Sequence, residues 1–149
     1  MTILNPTEIQ GLNDAVDDEF RSRDTYLQVV RDFGEVRPFS NVVEAEQRHI
    51  EALLGLFEKY AVAPPANRWV GAVPRFDSVQ AACVAGVQGE IDNIAVYDRV
   101  FKTTIREDIL AVYSALRSAS QDRHLPAFQR CSQGRGNGRR DGRAGAGLS

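Results

Sequence analysis

The chain has 149 residues, of which 43% are apolar and 26% charged, and its formal net charge is −2. This length and composition are typical of one globular domain with its own core, and they exclude a disordered or fibrous chain. No apolar run approaches the roughly 20 residues that cross a bilayer. Residues 1–12 also lack the basic start and apolar stretch of a secretion signal. We therefore expect a cytoplasmic protein without membrane contact.

Charge is unevenly distributed along the chain. Residues 132–149 contain six glycines, four arginines and one aspartate, so this segment carries +3 and residues 1–131 carry −5. A segment of this composition has little apolar surface to bury. We predict a helical domain over residues 1–131, followed by a flexible basic tail over residues 132–149 that contributes nothing to folding.

Apolar residues recur at helical spacing in two segments of the first half. The first covers residues 7–33 and is followed by Gly34, a common residue after a helix C-terminus. The second covers residues 38–60 and has a proline in its first turn. Residues 61–76 contain three prolines and a glycine. They predict a long non-helical crossover, with Trp69 packed over one end of a bundle.

Two further helical segments follow the crossover. Asp77 or Ser78 is expected to cap the third helix, which extends to Phe101. The fourth begins between residues 104 and 107 and extends to Cys131. Short, long and short connections between four amphipathic helices describe an all-α four-helix bundle with one long crossover between helices 2 and 3. This is a topology of ferritin-like proteins.

The two halves of the chain share a pattern of glutamate, tyrosine and histidine. In the first and third helices a glutamate is followed seven residues later by a tyrosine. In the second and fourth helices a glutamate or glutamine lies three residues before a histidine, and residues three apart share one helix face. The chain contains only two histidines, and both occupy matching positions of this duplication. The four pairs are Glu19 with Tyr26, Glu90 with Tyr97, Glu46 with His49, and Gln121 with His124.

This pattern predicts a metal centre. Di-iron helical bundles carry one glutamate on each of two helices and Glu-x-x-His on each of the other two. The chain matches five of these six positions, and the predicted metal ligands are Glu19, Glu46, His49, Glu90 and His124. Gln121 stands where the fourth carboxylate belongs, and its neutral amide would be a weak ligand. Without metal, the same groups could form a buried hydrogen-bond network between histidine and glutamate.

The helical rise tests whether the ligands reach one level of the bundle. Glu19 and His49 lie roughly 21 and 17 Å from the turn between their helices. Glu90 and His124 lie roughly 20 and 25 Å from theirs. Each pair differs by about one helical turn, which a tilt or a π-bulge can absorb. Pro126 is expected to bend the fourth helix just after His124.

Two further residue pairs lie near the predicted centre. Tyr26 and Tyr97 are candidate catalytic residues, but we favour core packing with a satisfied hydroxyl over a redox role. Cys83 and Cys131 lie about two turns, roughly 10 Å, from the metal level on neighbouring helices, so they should face each other. The expected cytoplasmic location favours reduced core cysteines over a disulfide.

Three segments carry a resemblance to a known family: Asp17-Asp-Glu19-Phe-Arg-Ser-Arg-Asp-Thr-Tyr26, Glu44-Ala-Glu46-Gln-Arg-His49 and His124-Leu-Pro-Ala-Phe128. Over about residues 8–131 the chain resembles an uncharacterised prokaryotic ferritin-like domain family related to rubrerythrins. The resemblance implies a four-helix fold and a centre of carboxylates and histidines. Such a centre would hold two iron ions, or one, with manganese or zinc as alternatives.

These features suggest two functions of different classes. The first is a small di-iron, or iron–manganese, oxidoreductase that reacts with oxygen or peroxide, either as a ferroxidase or as a peroxide scavenger. No Cys-x-x-Cys motif is present for a rubredoxin-type iron site, so such an enzyme would need an external electron donor. The alternative is a non-catalytic helical module whose basic tail makes weak, salt-dependent contacts with nucleic acid or an acidic partner. We also expect a homo-oligomer, either a dimer or larger.

Overall fold

The computed structural model describes residues 3–134, and all regular structure in this part of the chain is helical. The helices are α1 (Pro6–Phe33), α2 (Phe39–Lys59), α3 (Val79–Val100), α4 (Glu107–Ala119) and α5 (Leu125–Ser132). A π-helical turn, Ser120–His124, joins α4 to α5 into the fourth long helix, and a short 3-10 turn, Phe101–Thr103, follows α3. The predicted all-α architecture with four helices and a long crossover is confirmed. Most of the predicted basic tail lies beyond residue 134 and outside the described residues.

Polar side chains and a glycine define the helix ends. Before α1, the Asn5 side chain accepts a hydrogen bond from the backbone N–H of Glu8, and the Glu8 carboxylate accepts one from the backbone N–H of Asn5. This capping box satisfies donors that the first turn leaves free. Gly34 follows α1 with a positive φ of 89°, a conformation that favours glycine. Ser78 caps α3, as expected, by accepting a hydrogen bond from the backbone N–H of Ala81.

Two apolar clusters fill the interior on either side of a polar layer. The first includes Leu12 and Tyr113, and Trp69 of the crossover packs against it, as predicted. The second includes Phe39 and Phe128. The polar layer consists of buried glutamates and histidines, which lie along each long helix near the boundary between the segments that contribute to the two clusters. Burial of the clusters stabilises the bundle and holds the polar layer between them. Within residues 3–134, no helix is both long and apolar enough to cross a membrane.

Cys83 and Cys131 form a disulfide that links α3 to α5, with their Cα atoms 5.7 Å apart. The predicted proximity of the two cysteines is therefore confirmed. The preference for reduced cysteines is wrong, and it came from the expected location of the protein rather than from geometry. Both side chains are buried in the second apolar cluster, beside Phe128.

The π turn absorbs part of the roughly 5 Å by which His124 lies farther from its connecting turn than Glu90 does, because one additional residue corresponds to about 1.5 Å of helix rise. Its hydrogen bond runs from the backbone N–H of Leu125 to the carbonyl of Ser120, five residues earlier. This turn contains one more residue than an α-helical turn, which changes the rotational phase of everything after it. Pro126 has no backbone N–H and lies two residues after the turn, so the wider turn lies where α-helical hydrogen bonding would be interrupted anyway. A π-bulge was one of the expected means of aligning His124 with Glu90.

Candidate metal centre

The five predicted ligands converge in the polar layer of the bundle. Each is buried, and together they form two groups of three that share one member. In each group, one ligand atom from every residue lies within 4.8 Å of the others. The first group contains Glu19, Glu46 and His49, and the second contains Glu46, Glu90 and His124.

Glu46 lies between the two groups and offers one carboxylate oxygen to each. Its Oε1 is 3.0 Å from Nδ1 of His49, and its Oε2 is 3.8 Å from Nδ1 of His124. The other carboxylates face the same ring atoms: Glu19 Oε1 lies 3.5 Å from Nδ1 of His49, and Glu90 Oε1 lies 3.5 Å from Nδ1 of His124. The two groups are therefore equivalent in composition and nearly equivalent in geometry.

The atoms that converge on this layer have no hydrogen-bond partner among the described residues. They are both oxygens of Glu46, one oxygen each of Glu19 and Glu90, and Nδ1 of His49 and of His124. Buried polar atoms are almost always paired, because leaving one unpaired costs about 1–3 kcal/mol. The short distances between histidine and carboxylate lack hydrogen-bond geometry, so the alternative of a satisfied histidine–glutamate network does not account for these atoms. A set of carboxylate oxygens and imidazole nitrogens facing one another fits divalent transition metals.

Two tyrosines orient the outer carboxylates, and they do so across the two halves of the chain. The Tyr26 hydroxyl donates to Glu90 Oε2 at 2.7 Å, and the Tyr97 hydroxyl donates to Glu19 Oε2 at 2.5 Å. Each bond occupies one oxygen and leaves the other, Oε1, facing a histidine. Burial and the adjacent carboxylate raise the pKa of both tyrosines well above the usual value, so both remain donors. These contacts satisfy the hydroxyls, as the packing interpretation expected.

Burial and mutual charge set the protonation of the carboxylates. Burial raises the pKa of Glu46 well above its ordinary value, and the charges of Glu19 and Glu90 raise it further. Burial also acts to raise the pKa of Glu19, but the adjacent His49 and Glu46 side chains and the Tyr97 hydroxyl outweigh it and lower that pKa to about 2. Without a cation, a proton is therefore held more readily on Glu46 than on Glu19. A bound cation would favour loss of the Glu46 proton, because ligands bind metal in their deprotonated form.

Gln121 lies outside the centre, which corrects its expected role as a weak ligand. Its side chain is exposed, and Oε1 accepts a hydrogen bond of 2.6 Å from Arg117. Gln121 faces solvent because the π turn changes the rotational phase of the side chains between α4 and His124. The turn directs Ser120, four residues before His124, into the interior.

Ser120 and Asn93 form a polar contact that the sequence patterns did not reveal. The buried Ser120 hydroxyl donates to Asn93 Oδ1 at 2.6 Å. Asn93 Nδ2 in turn donates to Asp18 Oδ2 at 2.8 Å and lies 3.4 Å from Glu19 Oε2. This chain connects the π turn to the ligand-bearing segment of α1. The one sequence signal for it was Pro126, which marks the irregular turn but not its phase.

A helical bundle whose buried carboxylates and histidines could hold metal is the class of protein that this fold and site define. Residues 8–141 match the DUF2202 family, described as an uncharacterized protein domain, and the chain belongs to this family. It is 30% identical over 142 residues to the uncharacterized protein MJ0754 of Methanocaldococcus jannaschii, covering 85% of this chain and 76% of that protein. The crystal structure of hypothetical protein MJ0754 from Methanococcus jannaschii aligns with a TM-score of 0.79 at 28% identity, covering 90% of this chain and 84% of that one. Neither description names an activity.

Proposed function

We propose that the five residues form a dinuclear metal centre of the ferritin-like type, and that the protein is a di-iron, or iron–manganese, oxidoreductase. The observation that carries this proposal is the shared position of Glu46 between two equivalent ligand groups. One carboxylate with an oxygen directed to each group is suited to bridge two ions. The cluster has three carboxylates, which offset most but not all of the charge of two divalent ions.

The donor set is suited to iron, manganese or zinc. Imidazole nitrogen with carboxylate oxygen suits these ions, whereas the two cysteines are joined to each other and offer no thiolate. Each ion would receive three protein ligands, counting Glu46 for both, which leaves positions open for a reactant. Open positions are typical of catalytic rather than structural metal sites. Bound iron would supply the electrons that reduce oxygen or peroxide.

The protein itself would hold the ligands and exclude water. Tyr26 and Tyr97 fix the outer carboxylates, and mutation of such supporting hydrogen bonds typically costs 10- to 100-fold in metal affinity or activity. The apolar clusters on both sides shield the layer from solvent. This arrangement supports the proposed oxidative turnover, either as a ferroxidase or as a peroxide scavenger. The two tyrosines are its candidate catalytic residues only if they also exchange electrons or protons with the bound reactant.

The partners in this proposal remain predictions. A peroxide scavenger would need an external electron donor to reduce the metals again. A homo-oligomer stays an expectation from the sequence. The proposed contact with nucleic acid depends on the basic tail, which lies largely outside the described residues.

The proposal is tested by metal content and by iron oxidation. Protein purified without chelators should contain about two transition-metal ions per chain, measured by mass spectrometry of the elements. Metal-free protein loaded anaerobically with Fe(II) should then lose Fe(II), detected with a colorimetric chelator, when oxygen or peroxide is added in separate experiments. Glu46→Gln should abolish both results, because it removes the shared ligand.

The matched control is Glu58→Gln, which changes an exposed carboxylate on the same helix. It should behave as the wild type. Equal metal content in the wild type and in Glu46→Gln would contradict the metal centre. Two bound ions without any oxidation of Fe(II) would contradict the oxidoreductase and leave a non-redox metal site.

A further inference from the structure

A cleft of about 380 Å³ opens on the outer side of the two histidines. Its lining includes Arg48 and His49 from α2, and Arg123 and His124 from the π turn. The two imidazole rings stack with their centroids 5.6 Å apart and an interplanar angle of 20°. Because each ring turns Nδ1 toward the carboxylates, the histidine pair separates this cleft, which we call the arginine cleft, from the ligand oxygens.

The two arginines bring unneutralised positive charge to the arginine cleft. Both side chains are exposed, and neither has a hydrogen-bond or ion-pair partner among residues 3–134. A guanidinium is always protonated and presents donors that match the oxygens of an anion. Glu44 also lines the cleft and offsets part of this charge. One carboxylate against two guanidinium groups leaves the cleft with an excess of positive charge.

The histidines add donors at the inner wall of the cleft. Both are buried, with 7% of His49 and 4% of His124 exposed. A histidine that binds metal through one ring nitrogen usually donates its other N–H to an acceptor. Among the described residues no such acceptor is present for Nε2 of either ring. An anion in the cleft could accept from these groups as well as from the arginines.

We propose that the arginine cleft binds a small oxyanion, held by Arg48 and Arg123 against the outer edge of His49 and His124. The duplicated arginine–histidine pair supplies one guanidinium beside each imidazole, so the ligand is expected to present oxygens in two directions, as phosphate or a carboxylate does. The volume of the cleft is enough for such an anion and several waters, each of which occupies about 30 Å³ in the liquid. The anion site rests on the proposed function in one respect: it places the anion next to a metal centre.

Calorimetric titration of the full-length protein with inorganic phosphate tests the proposal, with acetate in a separate titration. The first titration uses metal-free protein. Arg48→Gln and Arg123→Gln should each weaken phosphate binding about tenfold or more, the effect expected for one charged hydrogen bond. Lysine at either position should restore part of the affinity, because it keeps the charge but loses the planar fork. Arg130→Gln, at an exposed position on α5 outside the cleft, is the matched control and should bind as the wild type.

The outcomes separate this inference from the metal proposal. Phosphate binding that is absent from the wild type, or unchanged in both glutamine variants while circular dichroism confirms their folding, overturns the anion site. Binding of acetate but not phosphate, with the same dependence on the arginines, supports the site and assigns it to carboxylates. A parallel Mn(II) titration tests the metal centre by itself. Loss of phosphate binding in the variants together with no Mn(II) binding in the wild type would retain the anion site and refute the metal centre.

Discussion

Replacement of Glu46 by glutamine should have opposite effects on the metal-free and the metal-bound protein. In the metal-free protein, burial and the charges of Glu19 and Glu90 raise the pKa of Glu46, so the folded carboxyl keeps its proton to a higher pH than the unfolded one. This proton uptake costs stability as the pH rises above the unfolded value of 4.5. Glutamine carries no such cost, because it is neutral in both states. Its amide can also donate to Nδ1 of His49, which lies 3.0 Å from Oε1 of Glu46.

The size of the effect follows from linkage. Each pH unit over which the folded carboxyl stays protonated and the unfolded one is ionised costs about 1.36 kcal/mol. For a domain of this size, 1 kcal/mol changes Tm by about 2–4 °C. Each such pH unit should therefore raise the Tm of the metal-free Glu46→Gln protein by about 3–5 °C relative to the wild type. The variant should melt above the wild type at pH 7.

Metal should reverse the order of the two proteins. A ligand at 100 times its dissociation constant stabilises the native state by about 2.7 kcal/mol, so Fe(II) or Mn(II) should raise the wild-type Tm by about 5–10 °C. The variant should show little of this rise. The assay is differential scanning calorimetry of chelator-treated protein, with and without added metal, at pH 7 and pH 5. At pH 5 the advantage of the metal-free variant should shrink, because the unfolded carboxyl is then partly protonated.

Two results would refute this reasoning. A metal-free variant that melts below the wild type at pH 7 would mean that the buried carboxylates do not oppose one another. An equal metal-induced rise in both proteins would mean that Glu46 is not shared between the ligand groups. Glu58→Gln, exposed on the same helix, should follow the wild type in every condition.

Metal binding at pH 7 should release about one proton per chain, from Glu46, and binding heats that do not vary with buffer ionisation enthalpy would contradict this. Tyr97→Phe should weaken Mn(II) binding about 10-fold or more by freeing a ligand carboxylate, with unchanged circular dichroism. Reduction of the disulfide between Cys83 and Cys131, 48 residues apart, should cost about 4 kcal/mol and lower Tm by about 8–16 °C, measured in melts with and without reductant. Gln121→Glu should leave metal stoichiometry unchanged, since the side chain is exposed; a gain of metal would show that it reaches the centre.

Much of this fold was predictable because it depends on local patterns. Apolar spacing and the residues that cap or end helices, such as Ser78 and Gly34, placed the helix boundaries within a few residues. The convergence of the glutamates and histidines was predictable for a related reason. The internal duplication and the fixed rise of a helix together determine which side chains reach the same level.

The remaining features depend on information that periodicity does not contain. The π turn changes the rotational phase of the helix, so Ser120 faces the interior where Gln121 was expected. A regular helical pattern in the sequence does not reveal that one turn contains an additional residue. The contacts of Asn93 join α1, α3 and the π turn, so they follow from tertiary packing rather than from spacing along one helix. The oxidation state of the cysteines was inferred from an expected location, which carries no geometric information.

The crossed tyrosine–glutamate bonds also bear on how the protein folds. Tyr26 and Glu90 are 64 residues apart in the chain, and Tyr97 and Glu19 are 78 apart, so each bond joins the first helical hairpin to the second across the crossover. Contacts of such separation form after the local ones, because the chain entropy of closing long loops must be overcome first. Neither hairpin alone can orient its own outer carboxylate. The ligand geometry is therefore completed only when the hairpins dock, which makes metal affinity a reporter of that last folding step.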